Sequence, residues 1–339
     1  MTSENTKYFF EKYLGKPSSE FVTLAQSGSA RINFLAQSGT QKYIVTRNEN
    51  IPENESFIYY SEIFSKLGLN TPTIFAISDD RKIYVQEFLG EQTLSDIITK
   101  EGLSPHVKTL VKQTLEKLFQ LQISTQGKID FSKTFEYERY DELPVIHDLY
   151  YFKNFVADVL ELEYRKSTLL KEFKQIATHI ESLGPKGIMI RDFQARNMMV
   201  NAESKVSFID YQSAMEGPLM YDVISFLFQA KANFPEDFKN EMLDYYIGQF
   251  ENEEVKIQLE NSVKPIQMMR FLQVLGAYGF RGLIQRKHHF MSSLEKGIQN
   301  ITQFAASWEQ MKDYPELKKV IEQLTSEEVK LKINTILNS

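Results

Sequence analysis

The chain has no cysteine among its 339 residues, which excludes disulfides, thiolate metal ligands and thiol nucleophiles and fits a reducing compartment. No uninterrupted apolar run approaches the ~18 residues that a membrane-spanning helix needs. The first residues, Met1 to Lys7, lack the basic-then-apolar order of a secretory leader. No block of Lys and Arg occurs, and the formal charge of −6 argues against a general nucleic-acid binder, whose face must attract phosphates. Repeats and low-complexity tracts are missing too, as is a Gly-x-Gly-x-x-Gly phosphate loop. With 42% apolar and 25% charged residues, the chain can bury one large or two modest cores. The expectation is a cytoplasmic globular protein with neither membrane nor nucleic acid as partner; nothing in the sequence bears on its oligomeric state.

The most informative stretch is Ile190-Arg191-Asp192-Phe193-Gln194-Ala195-Arg196-Asn197, followed by Phe208-Ile209-Asp210-Tyr211-Gln212. It offers a carboxylate, a carboxamide five residues later and a second carboxylate thirteen beyond that. Phosphoryl transfer needs these parts: an Asp that accepts the proton of a substrate hydroxyl, and an Asn and an Asp that hold the metal on the nucleotide phosphates. Met198–Val200 and Val206–Ile209 read as a hairpin whose turn is Asn201 to Ser204, so Asn197 and Asp210 stand at its two ends and can share one metal. Alone, an Asp-x-x-x-x-Asn string is common, and an Asp after a strand is usually a turn residue. Three elements in order, with strands where the geometry needs them, carry the reading.

At these residues the chain resembles the aminoglycoside phosphotransferase and choline kinase superfamily, the small-molecule branch of the protein-kinase-like fold. Together with Gly217-Pro218-Leu219-Met220-Tyr221-Asp222, they look most like the bacterial kinases that phosphorylate N-acetylmuramate or N-acetylglucosamine at the anomeric hydroxyl in cell-wall recycling. The resemblance implies an α+β fold of two lobes, a small antiparallel-sheet N-lobe over 1–88 and a large helical C-lobe over 89–339. It also implies ATP and Mg²⁺ as cofactors and a small-molecule acceptor. Ile190 departs from the His usual at that position. Tyr211-Gln212 stands where protein kinases carry Phe-Gly, in keeping with the small-molecule branch.

Along the N-terminal part, residues 4–14 form a short amphipathic helix. Strands at 20–25 and 31–36 flank Gln26-Ser27-Gly28-Ser29-Ala30. A lone Gly among Ser residues is ordinarily a hairpin turn; the resemblance makes Ser27, Gly28 and Ser29 a candidate phosphate-covering loop. The strand 42–47 ends in Arg47, where kinases carry the cation that pairs with ATP phosphates, and a solvated strand-end charge is the competing explanation. Pro52 opens a helix through Leu67. Glu53 falls on its inward face and is the better partner in phase for a cation, with helix-dipole stabilisation an equal explanation. Strands 73–77 and 82–87 lead into Glu87-Phe88-Leu89-Gly90, which resembles the segment that holds adenine through its backbone, with Glu87 the named position. From Thr93 onward the pattern is mostly helical, and strands before helices is the order of a sheet lobe followed by a helical lobe.

The acceptor side is less definite. Residues 124–144 read as a loop, acidic and aromatic at 135–142, either a substrate lid or simply solvated. A helix is expected to begin at Asp148, a candidate acceptor contact or a first-turn acid, and Arg196 of the catalytic loop is a further candidate. Asp222 opens a nearly all-apolar helix and is expected to be buried and structural. Over 265–286, Arg270, Gln273, Ala277 and Arg281 form one polar stripe, facing either an acceptor cleft or a buried acid, while Gly276, Gly279 and Gly282 allow close approach of other elements. Residues 294–335 form an amphipathic helical tail with no candidate site, and the adjacent His288 and His289 point apart, which argues against a metal there. The acid-rich loop favours a cationic acceptor such as an aminoglycoside or amino alcohol, and the Arg stripe a neutral or anionic one. A non-catalytic nucleotide-binding protein is the remaining alternative, with Ile190 its only support.

Overall fold

The structure, a computed structural model, describes residues 2–25, 30–229, 232–287 and 290–338. By compactness the chain divides into unit 1, Met1–Glu138 with Ile190–Met215, and unit 2, Arg139–Met189 with Glu216–Ser339. The fold class is α+β, with an antiparallel sheet in the N-terminal region and helices dominating thereafter.

Unit 1 is built on a five-stranded sheet in the order β1 (Glu20–Thr23), β2 (Ile32–Ser38), β3 (Gln41–Arg47), β5 (Ile83–Glu87) and β4 (Ile74–Ile77), every pair antiparallel. Alternation sorts its side chains. Phe34, Ala36, Val45, Ile83 and Val85 pack on one face with Phe10 of α1 (Thr2–Leu14). Asn33, Leu35, Ile44, Tyr84 and Gln86 therefore fall on the other. Helix α2 (Ile51–Lys66) is capped by Asn50, has Pro52 in its first turn, and buries Phe57, Tyr60 and Phe64. Each such ring removed from water contributes ~1.5–3 kcal/mol.

The same unit holds a small sheet in the order β6 (Gln92–Thr93), β8 (Met198–Val200) and β9 (Val206–Phe208). Gly90 sets its approach: φ is +143°, and a Cβ there would lie 2.6 Å from the Val200 carbonyl oxygen. Only glycine brings the segment after β5 this close to β8. Helices α3 (Leu94–Glu101), entered through a Thr93/Asp96 capping box, and α4 (Pro105–Ser124), capped by Ser104, complete the unit.

Unit 2 is helical apart from the two-stranded sheet of β7 (Lys186–Met189) and β10 (Met215–Pro218). Its first helix, α5 (Glu142–Phe152), starts six residues before the expected Asp148, because Asp141 caps it by accepting from Leu143 N at 3.0 Å. The loop before it is correspondingly shorter and contains a 3₁₀ turn at Phe131–Lys133. Helices α6 (Lys166–Ser182), α7 (Met220–Leu227), α8 (Glu236–Ile247) and the 27-residue α9 (Glu253–Gly279) follow. Gly276 and Gly279 let α9 lie against α5 and the π-turn after it. Cβ atoms there would stand 2.7 Å from Phe152 N and 2.4 Å from Phe155 O. The chain ends in α10 (Met291–Ser307), α11 (Pro315–Gln323) and α12 (Glu327–Asn338). Among the described residues no helix is long and apolar enough to cross a membrane.

Candidate active site

The hairpin anticipated after the catalytic loop is present, with Met198 opposite Phe208, Met199 opposite Ser207 and Val200 opposite Val206. Its open end is tied by the Ile209 amide donating to the Asn197 carbonyl at 3.0 Å, so the ladder itself fixes the spacing of Asn197 and Asp210. Asn197 Nδ2 donates to the Asp192 carbonyl oxygen at 2.9 Å. The Asp192 carboxylate accepts from Gln194 Nε2 at 2.7 Å and from Arg196 Nη2 at 3.0 Å. Arg191 and Asp210 both have positive φ, 71° and 66°, a conformation that costs an L-residue of this kind ~1–3 kcal/mol and persists only where surroundings enforce it.

Those surroundings are visible in the contacts. Arg191 reaches Glu136 at 3.5 Å and lies over the Tyr137 ring. After Asp210, the chain is fastened to α2: Ser56 Oγ donates to the Gln212 carbonyl and Tyr60 OH to the Ala214 carbonyl, each at 2.7 Å. The Tyr211 ring stacks on Phe57 at 4.7 Å, and its hydroxyl meets Ser61 Oγ at 2.6 Å. Tyrosine in place of phenylalanine thus gives this position a hydrogen-bonding tip as well as a buried ring.

A cavity of about 510 Å³ lies on the Leu35 and Ile44 face of the sheet, closed by Met199 and Ile209 of the hairpin and by residues 87–91. Arg31, Arg196, Asn197 and Asp210 are among its polar residues, together with Asn33, Gln86, Glu87 and Glu91. An apolar slot beside backbone amides and carbonyls, opening onto a carboxylate and cations, suits a planar base at one end and phosphates at the other. Arg31 is the pivotal cation. Its Nη2 bonds Asp210 Oδ1, its Nη1 donates to Gln212 Oε1 at 3.1 Å, and its Nε stands 3.4 Å from Glu53 Oε1. Burial opposes ionisation of Asp210, but the Arg31 charge and hydrogen bond outweigh it and hold the carboxyl below its ordinary range.

The oxygen donors present fit Mg²⁺. Asp210 supplies a carboxylate, and Asn197, having spent its Nδ2 on the Asp192 backbone, keeps its amide oxygen available. Among the described residues no group of three or more His, Cys, Asp or Glu could hold a metal alone. Two protein oxygens are the complement expected where nucleotide phosphates and water complete the octahedron.

The remaining expected residues are distributed as follows. Glu87 borders the cavity, with its carboxylate accepting from Thr73 N at 3.2 Å. Ser27, Gly28 and Ser29 lie outside the described residues, as do His288 and His289. Arg47 does not line the cavity and pairs instead with Glu49 at 2.7 Å. The reason is strand parity: Arg47 stands opposite Ile32 and so shares the sheet face of Phe34 and Val45, whereas Arg31 precedes Ile32 and takes the other face. Glu53 has a cation partner, and that partner is Arg31. The Ser-Ala-Arg sequence at 29–31 was the available signal for it.

Asp148, Arg270 and Arg281 belong to unit 2, unlike the hairpin residues. Asp148 is 3% exposed and accepts from Tyr140 OH at 2.9 Å. Tyr140 meets Tyr221 edge-on at 5.0 Å. Arg270, buried, lies over the Tyr221 ring and donates to Tyr221 OH at 2.9 Å and Ser225 Oγ at 2.8 Å. Arg281 is half-buried beyond the end of α9 and lies over Phe290. Asp222 is fully buried.

The profile of the phosphotransferase enzyme family matches residues 22–258. Among curated proteins, an N-acetylmuramate/N-acetylglucosamine kinase of Pseudomonas aeruginosa is 24% identical over 235 residues, 68% of this chain and 66% of that kinase. A kinase of the same name from Neisseria meningitidis serogroup B is 26% identical over 183 residues, 52% of each chain. The match thus spans less than two thirds of the length of either relative. Among solved structures, the choline kinase LicA from Streptococcus pneumoniae superposes with a TM-score of 0.61 at 14% identity, covering 91% of this chain and 99% of that one. It has also been solved in complex with AMP. At that identity the likeness is one of fold.

Proposed function

We propose, because this chain belongs to the phosphotransferase enzyme family, that it transfers the γ-phosphate of ATP to a hydroxyl of an amino sugar, namely the anomeric hydroxyl of N-acetylmuramate or N-acetylglucosamine. The observation that carries the reading is the hairpin that holds Asn197 and Asp210 across one ladder end, with Asp192 hydrogen-bonded to the same loop and a base-sized cavity alongside. The names of the two curated relatives support the acceptor class. The acceptor oxygen bonds to the γ-phosphorus, the bridging β–γ P–O bond breaks, ADP leaves, and the hydroxyl proton passes to the Asp192 carboxylate. Arg196, paired with Asp192, orients that carboxylate toward the acceptor. Asp210 and Asn197 would hold Mg²⁺, which would supply neutralisation of the phosphate charge. Arg31 is the nucleotide-binding cation in this reading, and 1–88 with the Ser27-Gly28-Ser29 loop is the nucleotide-covering lobe.

The reading with an aminoglycoside or choline-type acceptor draws on the acidic segment 136–142. Glu136 is engaged by Arg191 at 3.5 Å, which removes part of the negative charge that a cationic acceptor would need. A non-catalytic nucleotide-binding role rests on Ile190, whose side chain is packed at 1% exposure while its carbonyl accepts from the Asp192 amide at 2.9 Å.

The test is ATP consumption measured against N-acetylmuramate, N-acetylglucosamine, choline, ethanolamine and an aminoglycoside panel, followed by mild acid treatment of the product. An anomeric phosphate is released quickly under acid. A stable ester would move the reaction to another hydroxyl, and turnover with none of the acceptors would favour the non-catalytic role.

A further inference from the structure

A second cavity, of about 430 Å³, lies within unit 2 between α7, α8, α9 and α10. None of its lining residues belongs to the catalytic hairpin or to the nucleotide cavity. Helix α9 presents Lys264, Gln267 and Phe271 to it at spacings i, i+3 and i+7, and α10 presents Lys296 and Asn300 at i and i+4. Each set is one helical stripe. The first turn of α8 adds Glu236 and Lys239. Among the described lining residues three ammonium groups thus accompany one carboxylate, in a chain whose formal charge is −6.

Gln229 and Ser307 of this lining spend their donors on the Phe226 and Phe304 carbonyls, but other donors are free. Lys239 pairs with Glu236 at 2.5 Å. Lys264 makes one long hydrogen-bond contact, 3.5 Å, with Gln267 Oε1, and the Lys239 and Lys264 ammonium groups lie over the Phe228 and Phe304 rings. The Lys296 and Asn300 side chains have no hydrogen-bond or ion-pair partner among the described residues. Gln267 borders the cavity, and its amide NH₂ group has none either. Like charges gathered around one cavity are destabilising, and the amides of Gln267 and Asn300 offer donors to whatever enters it. An anion that also carries hydrogen-bonding groups answers both features.

We propose that this cavity binds a phosphorylated sugar. The phosphate lies among Lys239, Lys264 and Lys296, the sugar hydroxyls bond Gln267 and Asn300, and the C–H face of the ring rests on Phe271. The volume falls in the range of ~300–1,000 Å³ typical of small-molecule sites and far exceeds what a lone phosphate fills. The ammonium groups exclude a metal cation, and the amides and charges disfavour a purely apolar ligand. The site is independent of the identity of the kinase acceptor, so its failure would leave the kinase reading intact.

Calorimetric titration of the full chain with glucose 6-phosphate, glucosamine 6-phosphate and ribose 5-phosphate tests it, with inorganic phosphate and glucose as controls. At least one sugar phosphate is expected to bind about tenfold tighter than both controls. The combined variant Lys239→Gln/Lys264→Gln/Lys296→Gln is expected to weaken that binding by about tenfold or more, the scale of one lost charged hydrogen bond. Its melting temperature and ATP affinity should stay unchanged. If no sugar phosphate exceeds inorganic phosphate, the cavity is only an adventitious anion cluster and the proposal falls. It falls equally if the folded triple variant binds as tightly as the parent. Should the triple variant not fold, Lys296→Gln alone must weaken binding at least about threefold, and no change there overturns the assignment.

Discussion

Arg31 Nη2 is hydrogen-bonded to Asp210 Oδ1, and the same guanidinium stands 3.4 Å from Glu53 Oε1. One side chain from the start of β2 thus joins the proposed metal carboxylate to an acid of α2. The guanidinium neutralises Asp210. It is also placed to donate to phosphate oxygens, for which its planar fork is well suited.

Arg31→Ala should weaken Mg-ATP binding by about tenfold or more, since at least one charge-assisted contact of ~1.5–3 kcal/mol is lost. Arg47→Ala, on the opposite sheet face, should change affinity by less than about twofold, as exposed ion pairs contribute ~0–1 kcal/mol. Calorimetry on both variants decides between them. Equal losses would return the nucleotide role to β3.

Asp192→Ala should abolish phosphoryl transfer and leave nucleotide affinity near the parent value, because in the proposed reaction that carboxylate serves the acceptor. Asp210→Ala should weaken Mg-ATP binding itself. Comparable affinity losses in the two variants would show that the division of roles is mistaken.

Glu172 of α6 accepts from the Glu316 and Leu317 amides at 2.9 and 2.7 Å, capping α11. Burial nevertheless pushes its carboxyl above the ordinary 4.5, with the backbone hydrogen bonds only partly offsetting it. A folded pKa above the unfolded one means that the folded state holds the proton more tightly. Its stabilising contribution is therefore full below about 4.5 and is lost as pH rises through the raised folded value. Urea midpoints of the parent should fall relative to those of Glu172→Gln as pH increases through this window. Parallel curves would mean that the group titrates normally.

Gly276→Ala and Gly279→Ala each force a Cβ to within 3 Å of the backbone at Phe152 and Phe155. Each should cost about 1–3 kcal/mol or more, the scale of overpacking a close contact. Thermal unfolding measures it. An unchanged melting temperature would mean that α9 shifts away freely.

The hairpin was legible in the sequence because both ends carry chemistry and the strands between them are short and apolar. Tyr211 was legible as a replacement, although its bond to Ser61 needed the structure. The cation was harder. A strand-end Arg47 and an Arg31 at the strand entrance look alike by composition, and only the Ile32–Arg47 pairing separates their faces. Alternation through Tyr43, Ile44 and Val45 already contained that parity. The start of α5 was missed because Asp141 reads as part of an acidic run until its side chain is seen capping the helix. The cation-lined cavity escaped notice for a different reason: its stripes come from α8, α9 and α10, each ordinary alone.

Unit 1 is assembled from two separated pieces of chain, with residues 139–189 running between them. Gln92 of β6 pairs with Val200 of β8, a separation of 200 − 92 = 108 residues. During synthesis at ~5–20 residues per second, the first piece therefore waits several seconds for the strand that supplies Asn197 and Asp210. In that interval β6 has an unpaired edge and α2 lacks the Tyr211 ring that covers Phe57. A ribosome-bound fragment ending at Glu138 would consequently expose this apolar surface, a natural target for a chaperone that meets chains as they emerge.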